Sequence, residues 1–389
     1  MVIKSITGIK SKLAGKKVLV RADFNVPLRA GEIKDDYKII KGLATIKFLL
    51  KNNCRVIILT HLGEPTAGKI NEKFSVKPIA KRLGELLGSN VKFISSCIGL
   101  QVGTAVSRLK YGEILVLENI RFEPGETTNS RQLAKELAKL ADIYVNDAFA
   151  VSHRNHASVS AIKKFLPAYA GWLLEQEVVN LKKMQNPKRP LVVVLGGAKI
   201  NTKISLIKKV GKKAKNILIG GALANNFFLA HGLEIGQSLY DKESLTFAKK
   251  FKGQSLILPV DVVVASSVDS KAKVKSVNQL DSQDAIYDIG PKTVSLFSSI
   301  IKQANTIFWN GPLGMFEEDK FKHGTLAIGR IIAARSRGQA FGVAGGGETV
   351  EALKMTKMME YLDWVSTGGG AMLAFLGGEK MPGLAGIIK

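Results

Sequence analysis

The segment Gly196-Gly197-Ala198-Lys199-Ile200-Asn201-Thr202-Lys203 puts two glycines and two lysines where an apolar run, 191–195, gives way to an amphipathic one, 204–210. The apolar run reads as a buried parallel strand and the amphipathic run as a helix. A turn of this kind exposes backbone N–H groups and the positive end of the helix dipole, which together bind anions. The lysines add two point charges one helical turn apart. The chemistry this suits is the binding of a polyphosphate.

Other motifs point the same way or fall short. Glycine triplets at 345–347 and 368–370 each precede a helical pattern, so backbone could approach a phosphate closely at both. Gly63-Glu64-Pro65-Thr66-Ala67-Gly68-Lys69-Ile70 nearly matches a P-loop, but Ile70 stands where a hydroxyl must bind Mg²⁺, so it reads as a surface loop. His153-Arg154-Asn155-His156 could pair two imidazoles on a metal or flank a phosphate-binding arginine; without a third ligand in view, the arginine reading is preferred to zinc, with a plain polar loop as the bland alternative. No C-x-x-C, no H-E-x-x-H and no spacing that suggests a Ser-His-Asp set occurs, which weakens hydrolase and zinc readings.

Positioning these residues requires strands and helices in alternation. Apolar β-rich runs fall at 18–20, 55–60, 91–94, 114–117 and 143–145, then at 191–195, 217–219, 256–264, 306–309 and 340–343. Helical patterns lie between them, at 39–51, 77–87, 131–140, 243–251, 293–303 and 325–336. The fold class expected is α/β: two Rossmann-like three-layer (αβα) domains with parallel sheets, joined by a hinge helix. The proposed division is 1–172, an interdomain helix at 173–186 stopped by Pro187 and Pro190, and 187–372. Ligands in such sheets sit beyond the carboxyl ends of the strands, where the polar and glycine-rich sets fall. The first half offers arginine and histidine there, the second glycine backbone and lysine, as suits a small anion on one domain and a nucleotide on the other.

The bulk numbers agree. The chain has 389 residues, 46% hydrophobic and 23% charged, enough for two ordinary domains. No apolar run approaches a membrane span and no signal peptide is evident, so a cytoplasmic protein is expected. Cys54 and Cys97 read as reduced core thiols. The net charge of +25 fits either a general polyanion binder or a site for phosphorylated metabolites. The basic residues are spread along the chain, and the densest run, 208–215, lacks interleaved aromatics, which disfavours nucleic acid.

Taken in order, several blocks resemble phosphoglycerate kinase over essentially the whole chain. They are residues 18–28, which include Arg21-Ala22-Asp23-Phe24-Asn25; His61-Leu62-Gly63; Glu118-Asn119-Ile120-Arg121-Phe122; 145–149 with His153-Arg154; Gly196-Gly197-Ala198-Lys199; Trp309-Asn310-Gly311-Pro312; 345–347; and 366–370. The resemblance implies reversible phosphoryl transfer from 1,3-bisphosphoglycerate to MgADP, giving 3-phosphoglycerate and MgATP, by a monomer with a hinge. It implies a triose site of Asp23, Phe24, Asn25, Lys38, His61, Leu62, Gly63, Glu64, Arg121 and Arg154. The ATP or ADP site would comprise Gly197, Lys199, Lys203, Gly221, Gly290, Asn310, Pro312, Glu317, Gly346, Gly347, Glu348 and Thr349. Within these sets the catalytic group would be Lys38, Lys199, Gly346 and Gly369. Glu348 would meet Mg²⁺, held largely through the nucleotide phosphates, and residues 373–389 would return to the first domain.

Four positions depart from the family pattern. Lys38 and Glu64 stand where arginines are expected, Thr202 replaces an aspartate, and Glu348 replaces another. Lysine keeps the charge of arginine but loses its bidentate fork. Alongside an active kinase, a catalytically weakened nucleotide- or metabolite-binding protein and a nucleic-acid binder therefore stand as alternatives.

Overall fold

Runs such as Arg55-Val56-Ile57-Ile58-Leu59 carry apolar side chains on both faces, so their sheet must be covered on both sides. In the computed structural model, which describes residues 2–198, 203–251 and 255–388, the chain divides into two compact units. One is Met1–Val179 with Lys380–Lys389, the other Asn180–Glu379.

The first unit runs β1 Lys17–Ala22, a hairpin of β2 Leu28–Arg29 and β3 Glu32–Ile33, α1 Tyr37–Lys51, β4 Arg55–Leu59, α2 Lys77–Leu87, β5 Val91–Ile94, α3 Leu100–Ser107, β6 Ile114–Leu117, α4 Arg131–Ala138, β7 Ile143–Asp147, β8 Ala168–Ala170 and α5 Trp172–Lys183. The unit boundary falls inside α5. Its sheet has the order β5-β6-β4-β1-β7-β8 and is parallel throughout. Alternation splits each strand between two cores: Val18, Val20, Val56 and Ile58 join one, Leu19, Ile57 and Leu59 the other. Arg21 is in register with Leu59 on one side and Asn146 on the other, which collects the ends of β1, β4 and β7.

The second unit runs β9 Leu191–Leu195, α6 Ile204–Lys209, β10 Asn216–Ile219, α7 Ala222–Ala230, α8 Lys242–Lys250, β11 Leu256–Ile257, β12 Asp261–Ala265, β13 Lys273–Ser276, β14 Ala285–Ile289, α9 Pro291–Ile301, β15 Thr306–Asn310, α10 His323–Ser336, β16 Phe341–Gly345, α11 Gly347–Thr356, β17 Trp364–Ser366 and α12 Gly370–Gly377. Its parallel sheet has the order β11-β10-β9-β15-β16-β17. Leu195 is in register with Ile219 and Asn310, so the turns after β9, β10 and β15 emerge side by side.

Three details differ from the sequence reading. The run at 256–264 is two strands in two sheets, because Pro259 lacks the N–H needed to continue a ladder. The second of these, β12, centres a separate antiparallel sheet, β13-β12-β14, that strand–helix alternation did not suggest. The terminal segment that joins the first unit starts at Lys380, not Leu373, because residues 370–377 form α12, within the second unit. Lys4 donates its N–H to the Ile387 carbonyl at 2.8 Å and Asn146 its amide to the Gly383 carbonyl at 3.1 Å, which ties that segment down.

Candidate active site

In the first unit a lysine and a histidine meet at one buried carboxylate. Asp23 follows β1 and is 5% exposed. Lys38, in the first turn of α1, donates to Asp23 Oδ2 at 2.7 Å. Asp23 Oδ1 is buried without a hydrogen-bond partner among the described residues. His61, just past β4, turns its Nδ1 toward Arg21, whose guanidinium lies 3.3 Å away, and toward Asp23 Oδ1 at 3.8 Å. Arginine can only donate, so Nδ1 accepts and Nε2 carries the proton. Burial, then the charges of Arg21, Arg121 and Lys38, push the His61 pKa well below its ordinary value, so the ring is a neutral donor at physiological pH.

The loop after His61 brings up the remaining residues. Asn25 Oδ1 accepts from Gly63 N at 2.9 Å, and Arg121 donates to the Gly63 carbonyl at 2.6 Å. Gly63 has φ +58°, and a Cβ there would come within 2.5 Å of the Phe74 ring, so the turn requires glycine. Asn119, after β6, donates to the Leu62 carbonyl at 2.8 Å, and Phe24 N donates to Thr60 Oγ1 at 3.0 Å. Arg121 is anchored at Gly63, yet its Nε is buried and has no partner among the described residues. Glu64 Oε1 stands 3.0 Å from the Arg121 guanidinium and 4.0 Å from that of Arg154. All ten sequence-predicted triose-site residues therefore lie on the strand-end segments of this unit or in the first turn of α1.

Sequence reasoning missed what supports them. Arg21 is 1% exposed and donates through Nε to Ser158 Oγ at 2.9 Å. Ser158 in turn donates from Oγ and N to the two oxygens of Glu126, at 2.6 and 2.9 Å, and Glu126 is also 1% exposed. Glu126 sits in a loop, Glu123-Pro124-Gly125-Glu126, that reads as solvent-exposed; only a partner more than thirty positions away explains its burial. His156, one of the two histidines of the 153–156 segment, lies 3.7 Å from Glu126, and its pKa falls to about 4 through burial and neighbouring arginines. No group of three or more histidine, cysteine, aspartate or glutamate side chains placed to hold a metal ion occurs among the described residues.

In the second unit, glycine loops meet at the strand ends. Gly197 N donates to the Pro312 carbonyl at 2.7 Å, Leu223 N to the Gly197 carbonyl at 3.0 Å, and Gly221 N to the Leu313 carbonyl at 2.9 Å. Asn310 donates its side-chain amide to the Gly345 carbonyl at 2.6 Å, and Thr349 Oγ1 accepts from Gly311 N at 2.7 Å. Gly346 has φ +105°, and a Cβ there would meet Asn310 Nδ2 at 2.7 Å; the start of α11 therefore depends on glycine. At Gly347 and Gly369 nothing among the described residues lies within 4 Å of where a Cβ would stand, so the described surroundings leave the backbone there open to approach.

Lys203 is 6% exposed and donates Nζ to the Gly196 carbonyl. Burial lowers its pKa to about 8 against the opposing pull of Glu348, whose carboxylate reaches the same Gly197 turn. Lys199 and Thr202 lie outside the described residues. Gly290 caps α9 against the Asp261 carboxylate, and Glu317 is exposed in the loop before α10. No hydrogen bond among the described residues ties either to the glycine loops.

Parallel sheets with cations at the strand ends of one unit, and glycine turns with a buried lysine at those of the other, define an α/β protein built for phosphorylated ligands. The family model described as phosphoglycerate kinase matches residues 9–379. Phosphoglycerate kinases of Chloroflexus aggregans and Thermosipho africanus are 45% and 44% identical to the chain, over 96% of each sequence. The solved phosphoglycerate kinase of Coxiella burnetii superposes with a TM-score of 0.85 at 38% identity, covering 98% of both chains. That of Pyrococcus horikoshii gives 0.86 at 30% identity, covering 98% of this chain and 97% of the other. The chain belongs to the phosphoglycerate kinase family.

Proposed function

We propose that the first unit binds 3-phosphoglycerate or 1,3-bisphosphoglycerate, that the second binds MgATP or MgADP, and that the chain moves the phosphoryl group reversibly between them. In the direction of ATP use, a carboxylate oxygen of 3-phosphoglycerate forms a bond to the γ-phosphorus. The bond from that phosphorus to the β–γ bridging oxygen breaks, and ADP leaves with the electron pair. The carboxylate is already ionised and needs no general base. The protein's work is to hold the partners in line and to surround the moving charge with cations.

One observation carries this reading: Asp23 Oδ1 and Arg121 Nε are both buried without protein partners among the described residues, beside Lys38 and the neutral donor His61. A polar anion with a hydroxyl satisfies them together, the hydroxyl at Asp23 and a phosphate at Arg121 and Arg154. In the second unit, Lys203 and the open backbone at Gly347 and Gly369 suit nucleotide phosphates. Glu348 offers one carboxylate there, which fits a Mg²⁺ held mainly by phosphate oxygens and water. When bound, the ion would neutralise charge on the nucleotide phosphates. Lys38 takes the part of a cation on the transferred group, and Lys199 that of a phosphate contact. Transfer requires the two bound ligands to be brought together, the part assigned to α5 as hinge.

No observation favours the weakened binder or the nucleic-acid binder. No described helix is long and apolar enough to cross a membrane. A cytoplasmic monomer completes the reading, and light scattering of the purified chain tests the second half of it. Turnover of 3-phosphoglycerate with MgATP tests the activity; nucleotide binding without turnover would leave only the binder.

A further inference from the structure

Glu64 places a negative charge against the two arginines that the proposed function assigns to the substrate phosphate. Its Oε1 is 3.0 Å from Arg121 and 4.0 Å from Arg154. A carboxylate engages guanidinium donors by the same charge-assisted hydrogen bonds as a phosphate does. The side chain therefore fills the anion position between these arginines from within the protein.

The partners differ in freedom. The Arg121 side chain is 6% exposed and is also bonded to the Gly63 carbonyl at 2.6 Å. The Glu64 side chain is 75% exposed, and among the described residues it has no polar partner besides the two arginines. Gly63 is clamped from both sides, by Asn25 and Arg121, so the backbone delivers Glu64 to the arginines while its own torsions let it leave. An incoming phosphate can therefore displace the glutamate without disturbing the arginine.

We infer that Glu64 is a displaceable internal anion that competes with the substrate phosphate for Arg121 and Arg154, and so sets the affinity for the acceptor substrate lower than the arginines alone would allow. This rests on the reading in the preceding subsection. It applies to one ligand only: nucleotide is assigned to the other unit, so the effect is confined to 3-phosphoglycerate.

The test is calorimetric titration of the full chain with 3-phosphoglycerate and, separately, with MgATP, using wild type, Glu64→Gln, Glu64→Ala and Glu64→Asp. On the scale of exposed ion pairs, the Kd for 3-phosphoglycerate should fall about fivefold in the Gln and Ala variants. The Asp variant, which keeps the charge, should stay closer to wild type. The Kd for MgATP should hold in all four. A loosened loop would weaken 3-phosphoglycerate binding instead, so equal or weaker binding by both neutral variants overturns the inference while leaving the proposed function standing. If no protein binds 3-phosphoglycerate, wild type included, the proposed function fails and this inference falls with it.

Discussion

Lys38 Nζ donates to Asp23 Oδ2 across 2.7 Å, and this bond joins the first turn of α1 to the segment after β1. The ammonium thus sits beside a buried carboxylate whose other oxygen has no hydrogen-bond partner among the described residues. Lysine is a point charge with rotatable donors, so it can hold Asp23 and still turn a proton toward a phosphoryl oxygen. We expect Lys38→Ala to lower kcat by about 1,000-fold or more, in line with the loss of a cation on a transferred phosphoryl group. Lys38→Arg should retain or raise kcat. Steady-state rates of both variants check this; an Ala variant as fast as wild type would remove the role.

Glu126 should prove structural and strongly so. It compensates Arg21 through Ser158 in a region where both charged residues are 1% exposed. Removing one partner of such a set leaves a buried charge uncompensated, at a cost of about 3–5 kcal/mol. Glu126→Gln should therefore lower the urea midpoint with an unchanged m-value. An unchanged midpoint would mean that Arg21 is balanced elsewhere.

The first unit should carry a pH-dependent stability term from Asp147. Burial raises its pKa from 3.8 to about 6, even though it accepts from Leu174 N at 3.1 Å near the start of α5. The folded state holds that proton more tightly than the unfolded state does. Its contribution to stability is therefore fullest below about pH 4 and is lost as pH rises toward about 6. Asp147→Asn removes the titration, so the stability of the variant minus that of wild type should grow more positive between pH 4 and pH 6. Parallel denaturation curves would refute the assignment.

For the second unit, Lys203 gives the opposite handle. Burial lowers its pKa to about 8, so the free protein loses this cation at mildly alkaline pH. Nucleotide must then be bound together with a proton, and the Kd for MgATP should rise as pH climbs above 8. Lys203→Arg, which stays charged, should flatten the profile. Calorimetry from pH 7 to 9.5 reads both; a flat wild-type profile counts against Lys203 as a phosphate contact.

Much of this molecule could be read from its sequence, and the reasons are local. Buried parallel strands are short all-apolar runs, and their carboxyl ends are where polar and glycine residues must cluster, so Asp23, His61, Arg121 and the Gly196–Gly197 turn stood out. What stayed hidden depends on distant partners. Nothing near Glu126 announces that Ser158 will bury it, and although the resemblance put Glu64, Arg121 and Arg154 in one site, nothing in the sequence said that the glutamate would pair with the arginines. The antiparallel β13-β12-β14 sheet was missed because Val262, Val263 and Val264 look like a parallel core strand, and the break depends on one proline.

The central claim is transfer of phosphate to a carboxylate, and trapping the product tests it most directly. Purified wild-type chain is mixed with 3-phosphoglycerate and γ-labelled MgATP, with hydroxylamine present to capture the acyl phosphate. The account requires hydroxamate and ADP to accumulate in equal amounts, at a rate that saturates with both substrates and collapses in Lys38→Ala. Saturable nucleotide binding with no hydroxamate above the enzyme-free control would contradict it.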